Sequence, residues 1–196
     1  MLIDSLEPIH ALFNHGGARK VLLLLRVPLA LALVCLAIFL AEPGWFLPGL
    51  IASALGTLLQ SWCFASLHKQ KTLAVHGPYK IVRNPMYLAR YFLILGAVLV
   101  TGQVWAIVTF TILYYFYMVN RVKREEQKLQ KIFGDEYVEY CHRVHRFFPV
   151  TSCPGGTFFF FSKDCFFRNN GYWMPLATIA FYVVCWLHLT YCLSHY

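Results

Sequence analysis

The sequence predicts an all-α, polytopic integral membrane protein with about five transmembrane helices. Of the 196 residues, 59% are hydrophobic and 13% are charged, and the mean hydropathy is +0.55. A soluble domain of this size would expose too much apolar surface. Apolar runs close to the length that crosses a bilayer, about 20 residues, recur along the chain, and basic residues lie between them. These observations place residues 1–196 in a single membrane domain.

Five apolar runs are predicted to span the membrane. They cover residues 21–41, 45–67, 86–100, 104–119 and 172–193. The centre of the second run is rich in glycine, alanine and serine, which allows close packing against a neighbouring helix. The aromatic segment TFFFFSKDCFF is too short to span, so we expect it to lie at the membrane interface.

The distribution of lysine and arginine orients these helices. Basic residues are concentrated at 68–85 and 121–146, whereas the turns at 42–44 and 101–103 contain neither lysine nor arginine. By the positive-inside rule, the N-terminus, the 68–85 connection and the 121–170 region are expected on the cytoplasmic side. The net charge of +8 reflects this bias and forms no stripe suited to nucleic acid, so we predict no nucleic-acid partner.

The cysteines give no sign of a metal or redox site. Cys35, Cys63, Cys185 and Cys192 lie in apolar runs, and no two cysteines form a Cys-x-x-Cys pair. We therefore expect reduced cysteines that serve packing, and we predict no metal.

A polar segment, HGPYKIVRNPMYLARY, precedes the 86–119 hairpin on the predicted cytoplasmic side. Taken singly, Pro78 and Pro85 suit helix boundaries, and His76 is most simply a loop residue. Together, the prolines, arginines and tyrosines indicate a loop of preset geometry that presents backbone groups and aromatic faces to a ligand.

A second polar segment, NRVKREEQKLQKIFGDEYVEYCHRVHRFFP, follows the same hairpin. Arg121, Glu125 and Leu129 recur on one helical face, and Gly134 is expected to end this helix before a second, short one. Glu126 is expected to point about 100° away from Glu125 and to matter less. Taken alone, the segment is typical of a solvated interfacial helix.

Together the two segments resemble the membrane methyltransferase family that includes isoprenylcysteine carboxyl methyltransferase and the phospholipid methyltransferases. The first family block, G-x-Y-x-x-x-R-H-P-x-Y, is matched at Gly77, Tyr79, Arg83, Pro85 and Tyr87. The second block, E-E-x-x-L-x-x-x-F-G-x-x-Y-x-x-Y with a closing proline, is matched at Glu125, Glu126, Leu129, Phe133, Gly134, Tyr137, Tyr140 and Pro149. The match of both blocks is specific, and it covers about residues 68–149.

The resemblance implies a methyltransferase that binds S-adenosylmethionine on the cytoplasmic side, between the two blocks, and releases S-adenosylhomocysteine. Arg121 matches the substrate position, and Arg121 and Glu125 are the implied catalytic residues. Asn84 stands where the family has a histidine, which removes an acid–base role but leaves hydrogen bonding. The implied cofactor contacts are Lys71, Thr72, Leu73, Ala74, Tyr79, Asn84, Pro85, Met86, Tyr87 and Glu125.

The chemistry of these side chains agrees with that ligand. The rings of Tyr79 and Tyr87 favour a sulfonium, and Glu125 can accept hydrogen bonds from the cofactor's ammonium or ribose. Arg121 can clamp a carboxylate bidentately. An ionised acceptor needs no general base, so alignment and the exclusion of water would provide the catalysis. The favoured acceptor is the carboxylate of a lipidated, isoprenylcysteine-like molecule, while a phospholipid amine and a thiol are also compatible.

Two other kinds of protein fit parts of the pattern. Sterol reductases resemble the same blocks and use NADPH, but they are longer and prefer a histidine and an acidic residue where this chain has Asn84 and Arg90. An inactive membrane scaffold is suggested by Asn84 alone. Binding of S-adenosylhomocysteine or of NADPH separates these hypotheses, and the sequence predicts no oligomeric state.

Overall fold

The computed structural model of the chain describes residues 16–67, 72–150 and 157–195. Within these ranges the chain forms α-helices and one 3₁₀ turn, with no β-strand, which confirms the predicted all-α class. The helices are α1 (Gly16–Phe39), α2 (Pro43–Ser66), α3 (Pro85–Leu99), α4 (Val104–Phe133), α5 (Asp135–Arg143), α6 (Lys163–Arg168) and α7 (Trp173–His195), and the 3₁₀ turn is Gly77–Lys80.

Two described helices are long and apolar enough to cross a membrane, α2 over Pro43–Ser66 and α7 over Trp173–Cys192. Two shorter apolar helices cover Leu24–Phe39 and Pro85–Leu99. Large apolar side chains on these helices face outwards, as Leu24 does at 82% exposure. Exposed apolar surface of this extent is typical of a membrane-contacting protein. The total of five spans remains a prediction.

Helices α2 and α3 pack against each other at very short range. A side-chain carbon added to Gly49 would lie 2.7 Å from the carbonyl oxygen of Gly96, and one added to Gly56 would overlap the backbone of Leu93. The hydroxyl of Ser53 donates to the Leu93 carbonyl at 2.9 Å. Small residues in the second apolar run therefore permit close helix packing, as the sequence predicts.

Helix α7 also packs against α2. The Tyr182 hydroxyl donates to the Ser53 hydroxyl at 2.9 Å, and the hydroxyls of Thr57 and Thr178 lie 2.9 Å apart. Cys185 is buried beside Tyr182 and is a free thiol. These contacts make α2 the central helix of the bundle, and its Ser53 bonds to both α3 and α7.

Helix α4 extends well past the predicted fourth span and carries the second polar segment. It ends before Gly134, whose φ of 54° lies in the left-handed region that favours glycine. Helix α5 follows and packs Tyr137 and Tyr140 against Leu73. The predicted helix end at Gly134 and the short helix after it are confirmed.

The chain that leads into α7 covers the C-terminal end of α2. The amide nitrogen of Asn169 donates to the carbonyls of Phe64 and Leu67, each at 2.8 Å, and Ser66 donates to the Phe160 carbonyl at 3.0 Å. The last carbonyls of a helix have no partner within it, so these contacts satisfy them. Large aromatic side chains in this chain segment stay exposed, and its interfacial position remains a prediction.

Candidate active site between the two polar segments

The two polar segments are joined by direct hydrogen bonds. The Tyr140 hydroxyl of α5 donates to the carbonyl of Tyr79 in the 3₁₀ turn at 2.6 Å. The backbone N–H of Arg83 donates to the carbonyl of His145 at 2.9 Å. The chain on both sides of the α3–α4 hairpin is thereby held together at one end of the bundle.

Glu126 is at the centre of this junction. Its side chain is only 10% exposed and accepts hydrogen bonds from Arg83 at 3.3 Å, from the Asn84 amide at 3.0 Å and from Nε of Arg146 at 3.1 Å. The Glu126 carboxylate raises the pKa of Arg146. A buried carboxylate with several charge-assisted partners is strongly held, so Glu126 links the first polar segment to the second.

Arg83 secures the end of α5. Its Nη2 donates to the carbonyl of Cys141 at 2.9 Å and to that of Val144 at 3.0 Å. These carbonyls lie at the C-terminus of α5, where a positive charge is favourable and where the helix provides no partners. Arg83 therefore fixes the position of α5 against the first polar segment.

A second cluster lies on the neighbouring face of α4, around Tyr87. The Tyr87 hydroxyl donates to Oε2 of Glu125. The Arg121 guanidinium interacts electrostatically with the same hydroxyl, which raises the pKa of Arg121. The Tyr114 hydroxyl fixes the Tyr87 backbone by donating to its carbonyl at 2.7 Å. The structure thus brings Arg121, Glu125 and Tyr87 together, while their roles toward a ligand remain predictions.

Other predicted cofactor contacts are packed inside the protein. Leu73 is buried against Tyr137 and Tyr140, and the Tyr79 side chain is also buried. Burial raises the pKa of Tyr79 well above its ordinary value, so this phenol stays neutral. The Asn84 amide is occupied by Glu126. The side chains of Leu73, Tyr79 and Asn84 thus help to build the site, and their contact with a cofactor remains a prediction.

The remaining predicted contacts differ in exposure. Thr72 is exposed, Ala74 and Met86 are half-buried, and Pro85 is buried at the start of α3. Lys71 lies outside the described residues.

Glu125 and Glu126 lie on different faces of α4, as predicted. The face of Glu126 is turned into the protein, so Glu126 is buried, whereas Glu125 is exposed. The smaller importance of Glu126 for cofactor binding remains a prediction. A sequence signal for the difference in burial exists one helical turn earlier. Val122 precedes Glu126 by four residues and is buried, whereas Arg121 precedes Glu125 and is exposed.

A cavity of about 370 Å³ opens on the Glu126 side of α4, between Lys123 and His142. None of the predicted cofactor contacts lines it. The cavity is therefore distinct from the predicted cofactor site, which is centred on Tyr87 and Glu125. Residues of both family blocks occur in each place: Tyr87 and Glu125 in the cluster, and Arg83 and Glu126 at the cavity.

The fold and the junction define a helical membrane protein with a two-segment polar site. The profile of the phospholipid methyltransferase family matches residues 25–136, and the chain belongs to this family. The resemblance drawn from the two blocks is therefore confirmed. No solved structure matches the chain significantly.

Several curated proteins are similar to parts of the chain. It is 31% identical over 110 residues to the cobalt-zinc-cadmium resistance protein CzcN of Cupriavidus metallidurans, over 55% of this chain and 50% of that protein. It is 31% identical over 80 residues to a probable protein-S-isoprenylcysteine O-methyltransferase of Oryza sativa, over 41% of this chain and 42% of that protein. The chain thus spans half or less of the length of these two relatives.

A longer match links the chain to the protein-S-isoprenylcysteine O-methyltransferase B of Arabidopsis thaliana. The identity is 27% over 163 residues, which cover 70% of this chain and 83% of that protein.

Within the described ranges, no group of three or more His, Cys, Asp or Glu side chains is arranged to hold a metal ion.

Proposed function

We propose that this chain is a multi-pass membrane methyltransferase that transfers the methyl group of S-adenosylmethionine to a lipid-borne acceptor. The observation that carries the proposal is the cluster of Tyr87, Glu125 and Arg121, which unites the two family blocks at one end of the α3–α4 hairpin. Membership of the phospholipid methyltransferase family supports the reaction class. The excess of basic residues in the same region supports a cytoplasmic location.

The cluster offers suitable groups for both reactants. Glu125 would accept hydrogen bonds from the cofactor's ammonium or ribose, and the Tyr87 ring would favour the positively charged sulfonium. Arg121 would bind an anionic acceptor group beside them, with the planar guanidinium aligning a carboxylate. In this proposal the cofactor lies on the Glu125 side of Tyr87 and the acceptor on the Arg121 side.

The reaction proposed for a carboxylate acceptor is an in-line displacement. An acceptor oxygen attacks the methyl carbon, the carbon–sulfur bond breaks, and its electron pair returns to sulfur. A methyl ester forms and S-adenosylhomocysteine leaves as a neutral thioether. An ionised carboxylate carries no proton that must be removed, so the protein would act by aligning the reactants and excluding water.

The printed names of the rice and Arabidopsis relatives support an isoprenylcysteine-like carboxylate as the first candidate acceptor. The family profile, which is named for phospholipid methylation, favours a phospholipid amine as the second candidate. A thiol is compatible with the same displacement. Arg121 favours the anionic acceptor, because a guanidinium attracts a carboxylate and repels a protonated amine.

Methyl transfer in proteoliposomes tests the proposal. The purified chain would receive methyl-labelled S-adenosylmethionine together with N-acetyl-S-farnesylcysteine, phosphatidylethanolamine or an alkyl thiol, with Glu125→Gln as the inactive control. We expect base-labile label, the signature of a methyl ester, in the farnesylated acceptor. Label in the phospholipid instead would establish the second candidate, and absence of transfer to all three would contradict the proposed function.

A further inference from the structure

The cavity on the Glu126 side of α4 has a basic lining. Its volume is about 370 Å³, and Arg83, Lys123, Arg146 and His142 line it together with Glu126. In the described part of the chain, three permanently charged cations thus share this lining with a single carboxylate. The cavity keeps an excess of positive charge, which favours an anionic ligand.

The two arginines of the cavity differ in how far the protein occupies them. Arg83 uses all three guanidinium nitrogens for backbone carbonyls and for Glu126. Arg146 uses Nε and Nη2 for Glu126, and within the described ranges its Nη1 makes no hydrogen bond. Arg83 is therefore committed to the fold, whereas Arg146 keeps a donor for a further anion.

Lys123 and His142 add donors from two different helices. Lys123 belongs to α4 and His142 to α5, and both side chains are exposed. Among the residues that the structure describes, neither takes part in an ion pair. A phosphate group has more acceptor oxygens than a carboxylate, so it can use more of the donors that line this cavity.

Tyr137 of α5 provides an independent observation in the same lining. It is only 3% exposed, and its hydroxyl has no hydrogen-bond partner in the part of the chain that is described. The neighbouring Cys141 thiol is at best a weak acceptor. Burial and the Glu126 carboxylate raise the pKa of Tyr137, so the phenol keeps its proton and remains a donor. Buried hydroxyls are nearly always paired, and an anion in this cavity would supply the missing acceptor.

The position of the cavity along α4 matches the depth of lipid head groups. The predicted fourth span ends at residue 119, and Lys123 follows four residues later, about 6 Å further along the helix axis. The head-group region on each side of a bilayer is roughly 5–7 Å thick. On the predicted cytoplasmic side, basic residues at this depth attract anionic lipids.

We propose that this cavity binds a phosphate group, and that an anionic phospholipid of the surrounding membrane supplies it. Lys123, His142 and Nη1 of Arg146 donate to the phosphate oxygens, and the Tyr137 hydroxyl adds a neutral donor. The bound phosphate then connects α4 to α5 and to the chain that follows α5. The site is separate from the predicted cofactor site and does not depend on the proposed function.

Binding of short-chain lipids to the detergent-solubilised full chain tests the proposal. Dioctanoyl phosphatidic acid carries an anionic phosphate and no amine that could be methylated. Dioctanoyl phosphatidylcholine is the reference, because its choline compensates the charge of the phosphate. In calorimetry we expect at least tenfold tighter binding of phosphatidic acid, and equal affinities for the two lipids would overturn the proposal.

Two lysine variants of α4 separate a site from general charge attraction. Lys123→Gln removes an exposed cavity donor, so the fold should be retained while affinity for phosphatidic acid falls several-fold. Lys128→Gln is the matched control, because Lys128 is exposed on the same helix but does not line the cavity. It should keep the wild-type affinity, and equal losses in the two variants would overturn the proposal.

Tyr137→Phe removes only the unpaired hydroxyl. In the absence of lipid, Tm should stay equal or rise, because the cost of burying an unpaired donor disappears. Affinity for phosphatidic acid should nevertheless fall several-fold. A lower Tm with unchanged affinity would assign the hydroxyl to the fold and contradict its role in the site.

Inorganic phosphate identifies the source of the bound group. If it competes with phosphatidic acid and Lys123→Gln weakens both ligands, the site accepts free phosphate as well as lipid. If only phosphatidic acid binds through Lys123, the lipid is the ligand. Both results support a phosphate site, whereas binding of neither ligand would overturn it.

Saturating S-adenosylhomocysteine tests whether the cavity is separate from the predicted cofactor site. Affinity for phosphatidic acid should not change, because no predicted cofactor contact lines the cavity. Displacement of phosphatidic acid would make the cavity part of the cofactor site and overturn the proposal. A chain that binds phosphatidic acid through Lys123 but binds no S-adenosylhomocysteine would contradict the proposed function and leave the phosphate site intact.

Discussion

The Tyr87 hydroxyl donates a hydrogen bond to the Glu125 carboxylate and so connects the first turn of α3 to α4. Arg121, one turn earlier in α4, interacts electrostatically with the same hydroxyl. Glu126, the next residue after Glu125, faces Arg83, Asn84 and Arg146 instead. Two adjacent carboxylates therefore have different surroundings, from which we predict different effects on mutation.

Glu125→Gln is expected to weaken binding of S-adenosylhomocysteine at least tenfold while Tm changes little. The variant removes a charged acceptor, which is the stronger kind of hydrogen-bond partner for an ammonium group. Its protein contacts are few and the residue is exposed, so the fold loses little. Isothermal titration calorimetry and thermal unfolding measure the two effects.

Glu126→Gln is the matched control for that variant. It leaves Arg83, whose side chain is 14% exposed, without its carboxylate, which is expected to destabilise the fold on the order of 3 kcal/mol. Its effect on S-adenosylhomocysteine affinity, measured well below Tm, should be smaller than that of Glu125→Gln. If Glu126→Gln weakened binding more than Glu125→Gln, the ligand would be held by Glu126, and our assignment to Glu125 would be wrong.

Asn84→His restores the residue found in the family at this position. An imidazole N–H can replace the amide as a donor to Glu126, which now accepts from Asn84 at 3.0 Å. We expect a folded protein whose affinity for S-adenosylhomocysteine stays within a few-fold of wild type in calorimetry. Loss of binding in a folded variant would show that the pocket around Asn84 differs in shape from that of the family.

Arg121→Ala is expected to keep cofactor affinity within a few-fold but to lower turnover by roughly 10² or more, the scale of a misaligned reactant. Arg121→Lys should recover little of it, because the bidentate fork is missing. Steady-state methyl transfer and calorimetry on the same preparation measure both quantities. Retained turnover together with a lower Tm would make Arg121 a structural partner of Tyr87 and Glu125.

Gly56→Ala tests the close packing that positions α3. The added carbon would overlap the backbone of Leu93, which cannot move aside as a flexible side chain can. Overpacking of this kind costs roughly 1–3 kcal/mol, so we expect a clearly lower Tm in detergent. Gly44→Ala is the control, because nothing lies within 4 Å of a carbon added there; equal Tm values for the two variants would contradict the packing account.

Much of the fold could be predicted from local patterns in the sequence. The small residues around Gly56 predicted close helix packing, and Gly134 predicted the end of α4, since both depend on nearby residues in the chain. The contacts between segments that are distant in the sequence could not be predicted in this way. Capping of α2 by Asn169 joins residues that lie 102 and 105 positions apart, and no periodicity in the sequence encodes that pairing.

The site was predicted only in part for the same reason. The family resemblance singled out Tyr87, Glu125 and Arg121, and the structure brings them together. The position of Glu126 depends on which face of α4 turns inwards, and a strongly polar segment gives a weak signal for that choice. The unpaired hydroxyl of Tyr137 is a property of packing and becomes visible only in three dimensions.

The most direct test of the central claim is the binding of S-adenosylhomocysteine and of NADPH to the purified full chain, measured by calorimetry in the same detergent. Our account predicts saturable binding of S-adenosylhomocysteine that Glu125→Gln weakens at least tenfold, and no binding of NADPH. Binding of NADPH alone would indicate a reductase, and binding of neither ligand would indicate a membrane protein without this catalytic activity. Either result would contradict the assignment of the two polar segments to a methyl-donor site.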